Sequence, residues 1–213
     1  MENLDQSLFV FFNSTISNDF FDSIIPPITD LHKSPIVLWI ILPLIMTFWI
    51  YKQGKKMIPV FLGMALCVGI VDNITYRVFK PTFKRPRPPQ VEKQIILRSD
   101  RHAGYGFPSN HAANNFAAAT FLSYCYPAAT AILYAVASLV AFSRVYVGVH
   151  YPGDVLAGGL FGLIFGLFFF KIWVIILFRV GRRWPSLELP VNGKTTGGSS
   201  NDDQQGNSPP KNI

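Results

Sequence analysis

Three short stretches of this chain hold residue types suited to handling a phosphate group. The first, Lys80-Pro-Thr-Phe-Lys-Arg-Pro-Arg87-Pro88, gathers cations where an apolar run ends. Arginine presents a planar fork of donors matched to phosphate oxygens, and lysine a compact charge. The prolines limit how those cations can fold back. The same run also suits a solvated basic segment drawn to anionic lipid. The second stretch, Phe107-Pro-Ser-Asn-His111, reads as a helix N-terminus capped by Ser109 and Asn110. Free backbone N–H groups and the helix dipole make such an end an anion site, and His111 has the chemistry to protonate a leaving oxygen. A plain cap carrying an interfacial histidine is the other reading. The third stretch is Ser143-Arg144-Val-Tyr-Val-Gly-Val-His150-Tyr-Pro-Gly-Asp154. Arg144 suits either phosphate or a snorkelling role at a helix end. Asp154 can accept a hydrogen bond from one ring nitrogen of His150, which fixes the tautomer and leaves the other nitrogen free to attack.

The elements that position these stretches are apolar. Half of the 213 residues are hydrophobic and 15% are charged, against about 25% in ordinary soluble domains. The net charge of +7 is concentrated between apolar runs, which argues for an anionic substrate or membrane surface and against nucleic acid. A bilayer-spanning helix needs about 20 apolar residues, and five segments qualify: Pro35 to Tyr51, Met57 to Phe79, His111 to Tyr126, Ala128 to Val147 and Val155 to Phe178. The expected fold is an all-α polytopic membrane helix bundle. Residues 1–34, where Asn13, Ser14, Asn18, Asp19 and Asp22 interrupt the apolar pattern, read as interfacial amphipathic helices. Residues 35–184 form the expected transmembrane catalytic domain, and 185–213 a disordered tail too polar to bury a core. Five spans put all three polar stretches on one membrane face.

Cys67 and Cys125 sit in apolar runs and read as buried thiols with no disulfide or zinc role. Asp72 and Asp154 are the only carboxylates expected at membrane depth, too few for a two-metal phosphatase, so cations rather than a metal must neutralise phosphoryl charge. Asp72 is expected to partner Arg77 or another cation. Asn114 and Asn115 read as interhelical hydrogen-bond partners, and Arg98, Asp100, Arg101, His102 and Tyr105 as solvated loop residues.

Lys80-x6-Arg87-Pro88, Pro108-Ser109-Asn110-His111 and Ser143-Arg144-x5-His150-x3-Asp154 together resemble the three signature motifs of the type 2 phosphatidic acid phosphatase superfamily, over about residues 30 to 178. The resemblance implies a bacterial membrane lipid phosphatase acting without a cofactor or metal. His150 would attack phosphorus to give a phosphohistidine, with Asp154 orienting it. His111 would protonate the leaving group and then activate water. Lys80, Arg87, Ser109, Arg144 and the Asn110 backbone N–H would hold the phosphate. The superfamily's second motif usually has glycine where this chain has Asn110, whose amide is a further candidate for substrate contact. The implied partners are the bilayer and a phosphorylated lipid: phosphatidylglycerophosphate, undecaprenyl pyrophosphate, phosphatidic acid or lipid A. A phosphotransferase of the same fold, moving phosphate from a polyprenyl diphosphate to another lipid, is the alternative. Lys52, Lys55, Lys56, Arg179, Arg182 and Arg183 at the far face mark it as cytoplasmic. The site is therefore expected to face the periplasm or exterior of a bacterial inner membrane.

Overall fold

The computed structural model describes residues 2–31, 34–92, 95–99, 103–181, 190–191 and 194–195. Helices α1 (Glu2–Val10), which runs on as a π-helical turn over Phe11–Thr15, and α2 (Asp19–Asp30) precede the expected spans. The bundle follows: α3 (Leu42–Gln53) after a π turn over Val37–Ile41, α4 (Met57–Ile74) extended by a π turn over Thr75–Phe79, the single turns α5 (Lys80–Phe83) and α6 (Pro88–Val91), then α7 (Asn110–Cys125), α8 (Thr130–Tyr146) and α9 (Pro152–Gly181).

Three helical stretches are long and apolar enough to cross a membrane: Val37–Val91, Pro127–Tyr146 and Pro152–Val180. Gly54, at φ +77°, breaks the first between α3 and α4, and the two limbs line one apolar cavity together. Helix α7 falls where the third span was expected, yet it has only 16 residues, about 24 Å of helix. Its reach is short of the roughly 30 Å hydrocarbon core.

Helix α7 is the axis of the bundle, packed by α4, α8 and α9. It can be central because it is built of small residues: Ala112, Ala113, Ala117 and Ala119 are all buried. Helix α9 answers with Gly158, Gly162 and Gly166, where an added Cβ would fall on the backbone carbonyls of Ser109, Ala113 and Ala117. Lipid tails are as apolar as leucine, so helix association inside a bilayer depends on close van der Waals packing, which matched small residues permit. Lower in the bundle Gly63 of α4 leaves room for Trp173 and Phe121, and the Trp173 indole donates to Pro59 O at 3.1 Å. Outward-facing Leu44, Phe48, Ile132, Leu156, Leu160 and Phe168 are exposed, the pattern of side chains that meet lipid.

The N-terminal segment packs down on the loop end of this bundle. Phe9 joins Val145 and Tyr151, and Ile25 joins Tyr146, Val147 and Val149. Leu4, Leu8, Phe11 and Phe20 stay exposed on its outer side. Of the polar residues that interrupt its apolar pattern, Asn13 points inward, while Asn18, Asp19 and Asp22 are exposed. Asn13 is fully buried; its Nδ2 donates to Ile96 O and Tyr146 O at 2.8 Å each, and its Oδ1 accepts from Ile96 N at 2.9 Å. Arg98, expected as a solvated loop residue, is buried against this clamp. It pairs with Asp22 at 2.8 Å, lies over the Tyr146 ring and donates to Asn13 O. The carbonyls of Asn13, Ile96 and Tyr146 and one carboxylate converge there, and a guanidinium meets them all. Asp100, Arg101 and His102 lie outside the described residues. In the expected tail, Pro190–Val191 and Lys194–Thr195 pair as a short antiparallel ladder, β1 and β2; the rest of 185–213 lies outside the described residues.

Candidate active site

Chain direction brings the three polar stretches to one end of the bundle. Helix α4 delivers Lys80 as it ends, and the proline-rich turn after it carries Arg85 and Arg87. Helix α7 begins at Asn110, with Ser109 as its N-cap residue. Helix α8 ends in Arg144, after which Gly148, at φ +85°, turns the chain beneath Ile96 O and Asn13 so that His150 faces inward. Asp154 lies in the first turn of α9.

Lys80, Arg87, Asn110, His111, Arg144 and His150 line one cavity of about 340 Å³, with Asp72, Tyr76 and the 103–105 backbone completing it. Asp154 is fully buried behind His150: its Oδ2 lies 3.3 Å from His150 Nδ1 and accepts from Tyr151 N at 3.1 Å. On the opposite side of the ring, Arg87 Nη1 lies 3.1 Å from His150 Nε2. A guanidinium only donates, so Nε2 is the accepting nitrogen and Nδ1 carries the proton toward Asp154. The lone pair of His150 therefore points into the cavity. Burial, followed by the positive charges of Arg87, Lys80 and Arg144, pushes His150 well below the usual histidine range. The ring is neutral at physiological pH and available as a nucleophile.

The cations are held by backbone and hydroxyl oxygens. Lys80 Nζ donates to Tyr105 O at 2.9 Å, Arg87 Nη1 to Val149 O at 3.1 Å, and buried Arg144 to Thr29 Oγ1 of α2 at 2.6 Å. None of these three hydrogen bonds is to a carboxylate. Ser109 is fully buried beside the cavity rather than lining it. Its Oγ does not cap α7 and has no hydrogen-bond partner among the described residues, while its N–H donates to Asp154 O at 3.0 Å.

Several expectations are corrected. Asp72 accepts from Asn110 Nδ2 and Asn114 Nδ2 at 2.8 Å each, where a cation such as Arg77 was expected. This also spends the Asn110 amide N–H on Asp72 instead of leaving it for a phosphate. Asn114 does bridge helices, but Asn115 donates to His111 O within its own helix. Among the described residues no group of three His, Cys, Asp or Glu is gathered as a metal would require.

Sequence reasoning missed two participants. Arg85 donates to Asp154 Oδ1 at 2.8 Å and to Asp5 Oδ2 at 2.5 Å, and stacks over Tyr151. Asp5 Oδ1 accepts from Gly153 N at 2.7 Å, at the start of α9. A run of basic residues does not reveal which one turns away from the cavity. Asp5 lies 148 residues from Gly153 and carries no local signal at all.

Comparison with known proteins agrees with this geometry. The profile of the PAP2 superfamily matches residues 56–176, more than half the chain. The lipid A 4'-phosphatase of Bacteroides thetaiotaomicron is 29% identical over 206 residues, covering 92% of this chain and 87% of that protein. The undecaprenyl-diphosphatase of Sulfolobus acidocaldarius is 34% identical over 127 residues, 59% of this chain and 58% of that protein. The crystal structure of Aquifex aeolicus LpxE superposes with a TM-score of 0.60 at 30% identity, covering 79% of this chain and 95% of that one. The chain belongs to the PAP2 superfamily. It is an integral membrane protein and a phosphatase of that kind.

Proposed function

We propose that this protein hydrolyses a phosphate monoester or pyrophosphate of a membrane lipid through a phosphohistidine at His150, without a metal. The observation that carries this reading is the shared cavity. There a neutral, Asp154-oriented His150 meets His111, Lys80, Arg87 and Arg144. Substrate phosphate oxygens draw Arg87 off His150 Nε2, which then attacks phosphorus. The N–P bond forms as the bond to the lipid oxygen breaks, and His111 gives that oxygen its proton. His111 next takes a proton from water, whose oxygen attacks phosphorus; the N–P bond breaks, inorganic phosphate leaves and His150 is restored. Lys80, Arg87, Arg144 and the Asn110 N–H bind the equatorial oxygens, and the Ser109 Oγ turns in from beside the cavity to join them, supplying the electrostatic stabilisation that dominates phosphoryl transfer.

Lipid A and undecaprenyl diphosphate, the substrates in the relatives' names, are the first to test. The site faces the periplasm or exterior, opposite Lys52, Lys55, Lys56 and Arg179. Labelling an Ala103→Cys variant from outside the cell supports that orientation, and labelling only from the cytoplasmic side reverses it. The decisive experiment is phosphate release from a panel of phosphorylated lipids in detergent, with and without EDTA. Release persists in EDTA, and His150→Ala lowers it about 10³-fold or more. Unchanged release by that variant removes His150 as nucleophile, and chelator loss restored by added metal removes the mechanism. A phosphorylated second lipid in place of free phosphate makes the protein a phosphotransferase.

A further inference from the structure

One carboxylate lines the same cavity and has no place in the chemistry above. Asp72, Tyr76 and Lys80 recur every fourth residue along α4 and its π turn, and all three face the cavity. From Lys80 to Asp72 the helix runs about 12 Å back into the bilayer. The cavity is therefore graded. Lys80, Arg87, Arg144 and His150 make its cationic end, and Asp72 with Asn110 makes its bilayer-side wall.

Two carboxamides fix the Asp72 carboxylate by donating to its Oδ1. Its Oδ2 has no hydrogen bond among the described residues. With their N–H groups turned to Asp72, Asn110 and Asn114 are left with amide oxygens that have no partner among the described residues. At the cavity wall Asp72 and Asn110 therefore offer acceptors, with Asn114 behind them. Hydrogen-bonding an acceptor cluster needs a ligand with donors, and a fixed negative charge repels a ligand that brings a second anion.

In any membrane-anchored phosphate, the group between phosphorus and the apolar tails lies on the bilayer side of the phosphate. In a polyprenyl diphosphate that group is hydrocarbon. In phosphatidic acid it is a glycerol diester with acceptors only, and in phosphatidylglycerophosphate it includes an anionic phosphodiester. In a phosphorylated glycolipid it is an uncharged sugar ring bearing hydroxyl and amide donors. Resting on the lipid phosphatase reading above, we propose that Asp72, held by Asn110 and Asn114, accepts hydrogen bonds from the sugar of a phosphorylated glycolipid and sets the specificity of this site.

The test is a ratio. kcat/KM is measured for lipid A and for undecaprenyl pyrophosphate with the wild-type protein and with Asp72→Asn, which keeps an oxygen for the two carboxamides while removing the charge. The ratio falls against lipid A by about 10- to 100-fold, the worth of a hydrogen bond to a charged group, and the loss lies in KM. A ratio that stays the same, whether both activities fall or neither does, makes Asp72 a structural clamp and overturns the proposal. Should Asp72→Asn fail to fold, the wild-type protein still decides: octyl glucoside 6-phosphate inhibits at about tenfold lower concentration than octyl phosphate, and equal inhibition overturns the proposal. Wild-type protein that releases phosphate from no lipid of the panel sinks the phosphatase reading itself, a result distinct from an unchanged ratio.

Discussion

The two ends of this molecule are assembled by different forces. Within the bundle, α7 and α9 touch along Ala113, Ala117, Gly158, Gly162 and Gly166, and close packing holds them there. At the loop end, Asn13, Asp5, Asp22, Arg85 and Arg98 fasten α1 and α2 to the turns that carry the site, through ion pairs and side-chain hydrogen bonds. Lipid offers no hydrophobic gain for helix association, so atoms must come close. Near water the backbone of irregular turns must find partners, and long-range side chains supply them. The apolar part is held by close packing, and the part that carries the candidate site is polar and tied to a distant terminus.

The contrast can be broken most severely from the bundle side. In Gly162→Val the new Cβ falls on Ala113 O, a backbone atom that cannot swing aside, at a cost of about 3 kcal/mol or more. Loss of folded protein on size exclusion in detergent is the expected outcome, and normal yield would show that α7 and α9 pack more loosely than described. Asn13→Ala strips Ile96 N of its acceptor and Tyr146 O of one donor, for about 2 kcal/mol. It lowers the thermal midpoint while leaving α7 and α9 packed. Asp5→Ala acts on geometry alone: Arg85 loses one of its two carboxylates and Gly153 its acceptor. We expect kcat about tenfold lower, near 1.4 kcal/mol, with KM nearly unchanged and the thermal midpoint lowered no more than in Asn13→Ala. A variant with full kcat would detach the N-terminal helix from the chemistry. The smallest effect is a pH dependence. The Tyr146 hydroxyl and, against the opposing effect of burial, Arg98 hold Asp22 below its ordinary carboxylate value. That stabilisation is present above the unfolded carboxylate pKa and is lost as pH falls through the folded one. Asp22→Asn should therefore flatten the acid-side decline of the thermal midpoint, and an unaltered slope would remove Asp22 from the polar clamp.

Much of this was legible in the sequence. The apolar runs announced a helical membrane protein, because only a backbone bonded within its own segment crosses a bilayer. The three polar stretches, at the ends of those runs, announced one phosphate-handling site. Other features were illegible for equally physical reasons. Arg98 reads as a loop cation until Asn13, Tyr146 and Asp22 surround it. Asp72 reads as a partner for Arg77 five residues away, yet its hydrogen-bond partners come from α7, because the face of α4 that turns inward is fixed by packing.

Residue types and spacing, through the family resemblance they carry, determined the class of protein, since the proposed nucleophile, its proposed orienting acid and the cations lie in short motifs. Tertiary structure alone decided which cation serves which anion. Arg85 belongs to Asp154 and Asp5, Arg87 to His150, and Asp72 to two asparagines, and each pairing joins segments far apart in the chain. Charge is a property of a residue, but the partner that answers it is a property of the fold.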